Sequence, residues 1–278
     1  MNALGGHYKN ARLIAVFGDA ECDTIPRRWE SHFSNIEIQW VPSGDFLKYS
    51  YNAQHYARFH HIRDSADFAI LCDADVALLD TFCELLDQLS EKPALSGTIA
   101  HFAPWHDPAF SKRCDWDILS TAVLGKKIDK PYRYTLMALD ELAETPFYIN
   151  YGVLIGTPSL LNEFYQRERC LRSKVISETN SWWCAQLSLT LTCADSGLPT
   201  RALPMRYNFP NDPLADRMYS DEMENIVFLH YLRTDSFDRH KIFTTKNEFD
   251  SFLTLELEGS NRIMQKHVHS VTQGKYPF

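Results

Sequence analysis

Short apolar runs alternate along this 278-residue chain with segments of helical period, and no other feature constrains the fold as strongly. The runs Leu13–Phe17, Ile36–Trp40 and Phe68–Cys72 have the length and composition of buried or half-buried strands. A segment of helical period, Tyr51–Arg63, lies between the second run and the third. Strands interleaved with helices predict an α/β fold with a mixed, mostly parallel sheet flanked by helices.

The rest of the chain continues this alternation, with one exception. Residues 103–133 carry several prolines and tryptophans without a clear period, so we predict a long loop there. Residues 258–278 are predicted to form a short helix and a loose tail. The further predicted elements are strands at 95–100, 148–155, 201–205 and 226–230 and helices at 159–169 and 182–195.

The length favours one domain rather than two. We expect a single unit spanning residues 1–278, with a motif-bearing core at about 11–240 and a C-terminal helix and tail at 241–278. A formal net charge of −8 argues against a surface that binds nucleic acid. No apolar run approaches the ~20 residues that span a bilayer, and the first twelve residues lack the apolar middle of a secretion signal. We therefore expect a cytoplasmic protein without a transmembrane segment.

Two carboxylates, Asp73 and Asp75, lie two residues apart where the third predicted strand ends. In an extended chain residues i and i+2 share a face, and the carboxyl end of a strand in an open α/β sheet faces the crevice where ligands bind. Repulsion between the carboxylates would be relieved by a divalent cation such as Mg²⁺ or Mn²⁺. The alternative is a strand-end turn in which Asp73 caps a backbone amide. A capping box at Thr81 and Glu84 predicts a helix soon afterwards.

The stretch FAILCDADVALLD carries a DxD motif, and Arg58 upstream lies in an A-R-F context. Together with three later segments, in order, this stretch resembles the nucleotide-sugar glycosyltransferases of the GT-A fold, and among them the retaining group that contains glycogenin and bacterial lipo-oligosaccharide galactosyltransferases. The stretch FYINYGVLIGTPSLL resembles the group's F-N-x-G-V motif. Its Asn150 and Gly152 match the positions that contact the donor sugar.

Two later segments extend the resemblance to roughly residues 11–240. WCAQLSLTLTCADSGLPTRALPMRYN resembles the group's D-Q-x-x-L segment, with Gln186 at the glutamine and Ala185 where the group usually has aspartate. NIVFLHYLRTDSF resembles the late strand whose histidine completes the metal site, which assigns His230. The group's G-x-x-K-P-W continuation is missing, so Arg233 or Lys241 is expected to contact the phosphate.

The resemblance implies a metal-dependent hexosyltransferase. A hexosyl group would pass from a nucleotide sugar, with a UDP-sugar as the expected donor, to a carbohydrate or other hydroxyl acceptor with retention of configuration. Mn²⁺ or Mg²⁺ would be held by Asp73, Asp75 and His230, and the catalytic candidates are Gln186, beneath the sugar, and Asn150. The residues expected to bind the donor are Phe17, Gly18, Arg58, Asp73, Ala74, Gly152 and Arg233.

Three alternatives remain open at this point. An inverting enzyme would need a carboxylate base, for which Asp115, Asp117 and Glu141 are candidates. A non-catalytic homologue that binds a nucleotide sugar or glycan would explain Ala185. A phosphohydrolase of the haloacid dehalogenase type would use Asp73 as a nucleophile, but two predicted strands precede this aspartate and the expected threonine is absent. We expect the neighbouring pair Trp182-Trp183 to pack in the core or against a helix rather than to bind an acceptor sugar.

Overall fold

A computed structural model describes residues 10–18, 24–25, 27–31, 33–40, 58–106, 114–137 and 144–278. The first seven residues of the predicted helix Tyr51–Arg63 and the candidate base Glu141 lie outside these ranges. The end of that predicted helix is a 3₁₀ turn, Arg58–His61. The strands are β1 (Ile14–Phe17), β2 (Glu37–Trp40), β3 (Ala69–Cys72), β4 (Val76–Leu78), β5 (Leu95–Thr98), β6 (Tyr132–Arg133), β7 (Glu144–Thr145), β8 (Val153–Gly156), β9 (Thr200–Leu203), β10 (Phe209–Pro210) and β11 (Phe228–His230).

Eight α-helices accompany the strands in the described ranges. The predicted helices at 159–169 and 182–195 both begin close to observed helices, and the second also ends close to its predicted end. The first continues ten residues beyond its predicted end at 169. The helices are α1 (Cys83–Glu91), α2 (Trp116–Leu124), α3 (Pro158–Thr179), α4 (Cys184–Ser196), α5 (Pro213–Met218), α6 (Ser220–Met223), α7 (Lys246–Thr254) and α8 (Gly259–Thr272). Short 3₁₀ turns lie at Arg27–Trp29, Pro104–His106 and Met205–Tyr207.

The sheets are mixed, and the prediction of a mostly parallel sheet is wrong for the described strands. The largest sheet has the order β3-β8-β5-β9, and β8 is antiparallel to both of its neighbours. Among all the strands that the structure describes, only β1/β2, β5/β9 and β10/β11 pair in parallel. All four residues of β8 are buried, so its sequence is a continuous apolar run like that of a buried parallel strand. Such a run carries no information on strand direction.

Helices cover both faces of this central strand. Leu154 packs with Leu161 and Phe164 of α3, whereas Val153 and Ile155 pack on the opposite side with residues of α1. Alternate residues of β8 therefore fill two cores, as the period-2 geometry of a strand requires. A separate cluster joins β10 and β11 to α7 and α8. The end of β11 is thereby fixed between the sheet and the C-terminal helices.

Three local predictions need correction. Residues 103–133 contain helix α2, which begins after Asp115, whose side chain accepts a hydrogen bond from the amide of Ile118 (2.8 Å), and ends at Gly125 in the left-handed conformation. The surrounding prolines and tryptophans obscured these two cap signals. The Thr81–Glu84 capping box does not form, because α1 begins at Cys83 without a side-chain cap.

The C-terminus is also better ordered than predicted. Helix α8 has 14 residues, and the Tyr276 hydroxyl donates to the carbonyl oxygens of Phe243 and Thr244 (both 3.2 Å). The predicted loose tail is therefore wrong. Within the described part of the chain, every helix is either too short or too polar to cross a bilayer.

Candidate metal centre

Asp73 and Asp75 lie at a tight reversal of the chain between β3 and β4. The amide of Asp73 donates to the carbonyl of Gly152 (2.9 Å), which continues the pairing of β3 with β8. Ala74 and Asp75 then form a turn, and the amide of Val76 donates to the carbonyl of Asp73 (3.3 Å). The pair is thus not extended, as the i, i+2 argument assumed. The turn nevertheless brings both carboxylates to one side.

Strand pairing brings His230 to the same point. β4 is antiparallel to β11 with Val76 opposite His230, and the amide of Tyr231 donates to the carbonyl of Asp75 (3.0 Å). The imidazole Nε2 lies 3.2 Å from Oδ1 of Asp75 and 4.0 Å from Oδ2 of Asp73. One ligand atom from each of the three residues lies within 4.8 Å of the other two. The three residues therefore lie together, and their binding of a metal stays a prediction.

The three side chains form a donor set that suits a divalent cation. Two carboxylates and one imidazole offer two hard oxygens and one nitrogen, and three protein ligands leave coordination positions for a substrate. Gly152 is required by this arrangement, since a Cβ added there would lie 2.4 Å from both Cε1 and Nδ1 of His230. The imidazole of His230 occupies the space that a side chain at residue 152 would fill.

Each aspartate also has its own arginine. Nη1 of Arg58 lies 3.2 Å from Oδ1 of Asp73, and its guanidinium lies over the ring of Tyr151, 5.2 Å from the ring centre. Nη1 of Arg239 lies 2.6 Å from Oδ2 of Asp75. Arg58 therefore lies beside Asp73, and its role in binding a donor stays a prediction. Arg239 was missed, because it lies between charged residues in a segment that looks like an ordinary polar loop.

The two basic residues proposed from the sequence for this role lie elsewhere. Arg233 pairs with Asp212 through Nη2 and Oδ2 at 3.1 Å. Lys241 is 60% exposed and lies 3.8 Å from Asp238. Arg239, rather than Arg233 or Lys241, lies beside the carboxylates, and the expected phosphate contact of Arg233 or Lys241 stays a prediction.

The two carboxylates differ in their protonation behaviour. Burial raises the pKa of Asp73 above its usual value, although the charges of Arg58 and His230 act in the opposite direction. Burial also acts to raise the pKa of Asp75, but the hydrogen bond and charge of His230 and the charge of Arg239 outweigh it and lower the pKa. Asp75 is therefore the more strongly held anion of the pair.

A second buried histidine lies behind the site and was not found from the sequence. Nδ1 of His101 is 2.8 Å from the Thr135 hydroxyl, and the ring is 5% exposed. Burial, together with the nearby charges of His230 and Arg233, lowers the pKa of His101 to about 3. His101 is therefore a neutral, interior histidine. A single histidine after a strand has no sequence signal that separates it from a surface residue.

The remaining donor-site candidates lie at several places in the fold. The side-chain oxygen of Asn150 accepts hydrogen bonds from the amide of Gly152 (3.0 Å) and from Asn208 (3.1 Å), so this oxygen is bound within the protein. Ala74 lies in the turn between the two aspartates, where its carbonyl accepts from the Tyr231 hydroxyl at 3.4 Å.

Phe17 ends β1 and packs against Phe33 and Trp40, with ring centres 6.0 and 5.3 Å away. Gly18 follows it directly. Phe17 therefore ends the first strand, as predicted, and its ring is partly buried among other aromatic rings. The binding of a nucleotide base by Phe17 and Gly18 stays a prediction.

Gln186 lies in the first turn of α4 and is half-buried. Its side chain makes no hydrogen bond with Asp73, Asp75 or His230, all of which belong to the described ranges. Ala185 is buried in the core cluster that contains Tyr151. The preceding tryptophans are exposed, Trp182 by 57% and Trp183 by 38%, so they are not core residues, and packing against a helix stays a prediction.

Two of the three candidate bases for an inverting reaction have structural roles. Asp115 caps α2, as described above. Asp117 binds Lys127 and Lys130 at 2.8 and 3.0 Å. Hydrogen bonds from these two lysines lower the pKa of Asp117.

The fold is similar to that of glycosyltransferases of known structure. The galactosyltransferase LgtC, solved in complex with donor and acceptor sugar analogs, is similar over 95% of this chain and 93% of its own, with a TM-score of 0.51 and 15% sequence identity. Mouse xyloside xylosyltransferase 1 is similar over 79% of this chain and 84% of its own, with a TM-score of 0.45 and 12% identity. The chain matches no protein-family model and no curated protein sequence. The likeness to LgtC shows that this mixed α/β chain has the GT-A type of fold expected from its four motifs.

Proposed function

We propose that the chain is a metal-dependent glycosyltransferase that moves a hexosyl group from a UDP-sugar to a carbohydrate or other hydroxyl acceptor, with retention of configuration. The observation that carries this proposal is the convergence of Asp73, Asp75 and His230 at the strand ends of a fold similar to that of LgtC. Separate sequence segments supply the three residues. Their meeting at one point is what a cation bound to a donor diphosphate requires.

The three ligands would hold Mn²⁺ or Mg²⁺. When bound, a divalent cation supplies Lewis-acid stabilisation of the charge that grows on a departing diphosphate. The chain's own cations would add to this effect. Arg239, 2.6 Å from Asp75, is our candidate for a phosphate contact, in preference to Arg233, which is paired with Asp212. Arg58, beside Asp73, is our candidate for the donor-sugar side of the site.

The remaining assignments follow the motif positions. Phe17 and Gly18 would receive the nucleotide base, and Ala74 would present its backbone to the donor. Gly152 would admit the imidazole of His230, and Asn150 would offer its amide nitrogen to the sugar. Gln186 would lie beneath the transferred sugar. A retaining reaction does not need a carboxylate base near the acceptor, so a glutamine is compatible with this position. We further propose that the enzyme acts in the cytoplasm.

The alternatives receive less support. A phosphohydrolase of the haloacid dehalogenase type would need Asp73 as a nucleophile, yet this carboxylate is paired with Arg58 at 3.2 Å and the fold is similar to that of a glycosyltransferase. A non-catalytic homologue would bind the same donor without turnover. Donor turnover is the measurement that separates it from an enzyme.

The test combines donor binding and turnover. Calorimetry with UDP-sugars in the presence and absence of Mn²⁺ should show metal-dependent binding, and release of UDP should follow with added acceptor. Asp73→Asn and Asp75→Asn should each abolish the Mn²⁺-dependent part of donor binding. Asp80→Asn is the matched control, because this exposed aspartate lies in the same segment outside the cluster. Unchanged donor affinity in both cluster variants would refute the metal assignment.

A further inference from the structure

A chain of buried amides lies directly behind His230. Nδ1 of His230 is 3.1 Å from Oδ1 of Asn208, whose amide nitrogen is 3.1 Å from both the main-chain oxygen and the side-chain oxygen of Asn150. The amide of Gly152 donates to that same side-chain oxygen at 3.0 Å. Asn208 is fully buried, and His230 is 5% exposed. These contacts are therefore made within the protein interior.

Two backbone groups fix the direction of every hydrogen bond in this chain. The amide of Gly152 can only donate, so the Asn150 atom that it meets is the side-chain oxygen. The main-chain oxygen of Asn150 can only accept, so the Asn208 atom that faces it is the amide nitrogen. The other terminal atom of Asn208 is then its oxygen, which can only accept.

The direction determines which nitrogen of His230 carries hydrogen. Because Oδ1 of Asn208 accepts, Nδ1 of His230 must donate, and the proton of the neutral ring resides on Nδ1. Nε2 faces Asp75, 3.2 Å away, and Asp73. Without a cation Nε2 can donate to the Asp75 carboxylate, and in the neutral ring with hydrogen on Nδ1 its lone pair is available to a cation. Metal-binding histidines commonly donate their second ring N–H to a neighbouring acceptor, which fixes both the tautomer and the ring orientation.

We infer that Asn208 is a positioning residue that holds His230 in the Nδ1–H tautomer, so that Nε2 is ready to bind a divalent cation between the two aspartates. This inference rests on the proposed function, because it gives the cation a nitrogen ligand. Asn208 is itself held by the 3₁₀ turn Met205–Tyr207, since the main-chain N–H of Asn208 donates to the carbonyl of Met205 (2.9 Å). The turn and the amide chain together orient the imidazole.

The first experiment needs no variant at the proposed residue. Long-range ¹H–¹⁵N spectra of the metal-free protein, with the His230 signals assigned by their loss in His230→Gln, report which ring nitrogen carries the proton. We expect hydrogen on Nδ1, whether Nε2 is bare or also donates to Asp75. A bare Nδ1 and a protonated Nε2 in the wild-type protein would overturn the inference and leave the proposed function standing.

The second experiment measures Mn²⁺ affinity by electron paramagnetic resonance of the free ion. Asn208→Ala should weaken Mn²⁺ binding by about 10- to 100-fold, as loss of such an outer hydrogen bond does elsewhere. Asn150→Ala is the matched control. It should cause a smaller loss, because the main-chain oxygen of Asn150 still holds the amide nitrogen of Asn208. Circular dichroism and melting temperature establish that both variants are folded.

The outcomes separate this inference from the proposed function. A folded Asn208→Ala protein with wild-type Mn²⁺ affinity overturns the positioning role. A wild-type protein with the Nδ1–H tautomer and no Mn²⁺ binding supports the orientation of His230 by Asn208 and overturns the metal dependence of the proposed reaction.

Discussion

Replacing Gly152 with alanine places a methyl carbon 2.4 Å from both Cε1 and Nδ1 of His230, where ordinary van der Waals contacts are 3.4–4 Å. The imidazole must retreat by about 1 Å, a displacement that exceeds by severalfold the tolerance of about 0.2 Å in metal–ligand distances. Crowding of this kind in a packed interior costs about 1–3 kcal/mol of folding stability. We therefore expect Gly152→Ala to lower the melting temperature and to weaken Mn²⁺ binding at least about tenfold, since His230 would leave the coordination geometry.

Gly97 offers a matched control for the crowding itself. A Cβ at Gly97 would lie 2.6 Å from Cδ1 of Ile149, in the core beneath the sheet, and would not touch His230. Gly97→Ala should therefore lower the unfolding free energy to a similar extent while Mn²⁺ affinity stays at the wild-type value. Both variants are compared by urea unfolding and by Mn²⁺ titration. Wild-type Mn²⁺ affinity in Gly152→Ala, or equal losses of affinity in the two variants, would refute the assignment of His230 as a ligand whose position depends on Gly152.

Two further predictions concern His101 and Arg239. The pKa of His101 is lowered from 6.5 in the unfolded chain to about 3 in the folded protein. Below pH 6.5 the unfolded chain therefore binds a proton that the folded protein does not bind. The stability that is present above pH 6.5 is lost as the pH falls. The loss at about pH 5.5 should be about 1.4 kcal/mol. Urea unfolding of His101→Gln should lack this contribution, and an identical pH dependence in both proteins would contradict the buried, neutral assignment. Arg239→Ala should weaken Mn²⁺-dependent UDP binding by about 10- to 100-fold, the effect of losing one charged hydrogen bond. Lys241→Ala, at an exposed position, should bind UDP like the wild type, and the reverse ranking in calorimetry would favour Lys241 as the phosphate contact.

The position of Asp73 and Asp75 could be predicted from the residues themselves, because both follow an apolar run that ends a strand. The carboxyl ends of sheet strands are where ligands bind in open α/β folds, which singled out this pair. His230, which ends another strand, was assigned only through the resemblance of its segment to the late strand of the glycosyltransferase group. What the pattern could not supply was the turn at Ala74 that replaces an extended DxD.

Two partners of these three residues, Asn208 and Arg239, could not be predicted, because their roles depend on contacts between distant segments. Asn208 follows a 3₁₀ turn, and its sequence neighbours give no sign that its amide reaches His230. Arg239 is one of several basic residues in its loop. Only the fold shows that Arg239 pairs with Asp75, whereas Arg233 pairs with Asp212. The missed helix α2 is a local failure of a different kind. Its caps, Asp115 and Gly125, were visible in the sequence, but the flanking prolines and tryptophans suggested a loop.

The charges at the site link cation binding to diphosphate binding under the proposed function. Asp73 and Asp75 are paired with Arg58 and Arg239, so a cation that binds both carboxylates must share them with two guanidinium groups or displace them. A displaced guanidinium needs a new anion, and the diphosphate of a donor supplies one beside the cation. The donor alone would meet two arginines already paired, and the cation alone would meet two carboxylates already neutralised. The cation therefore replaces the arginines as partner of the carboxylates, and the diphosphate replaces the carboxylates as partner of the arginines. Thermodynamic linkage then requires that Mn²⁺ raise the affinity for UDP by the same factor by which UDP raises the affinity for Mn²⁺.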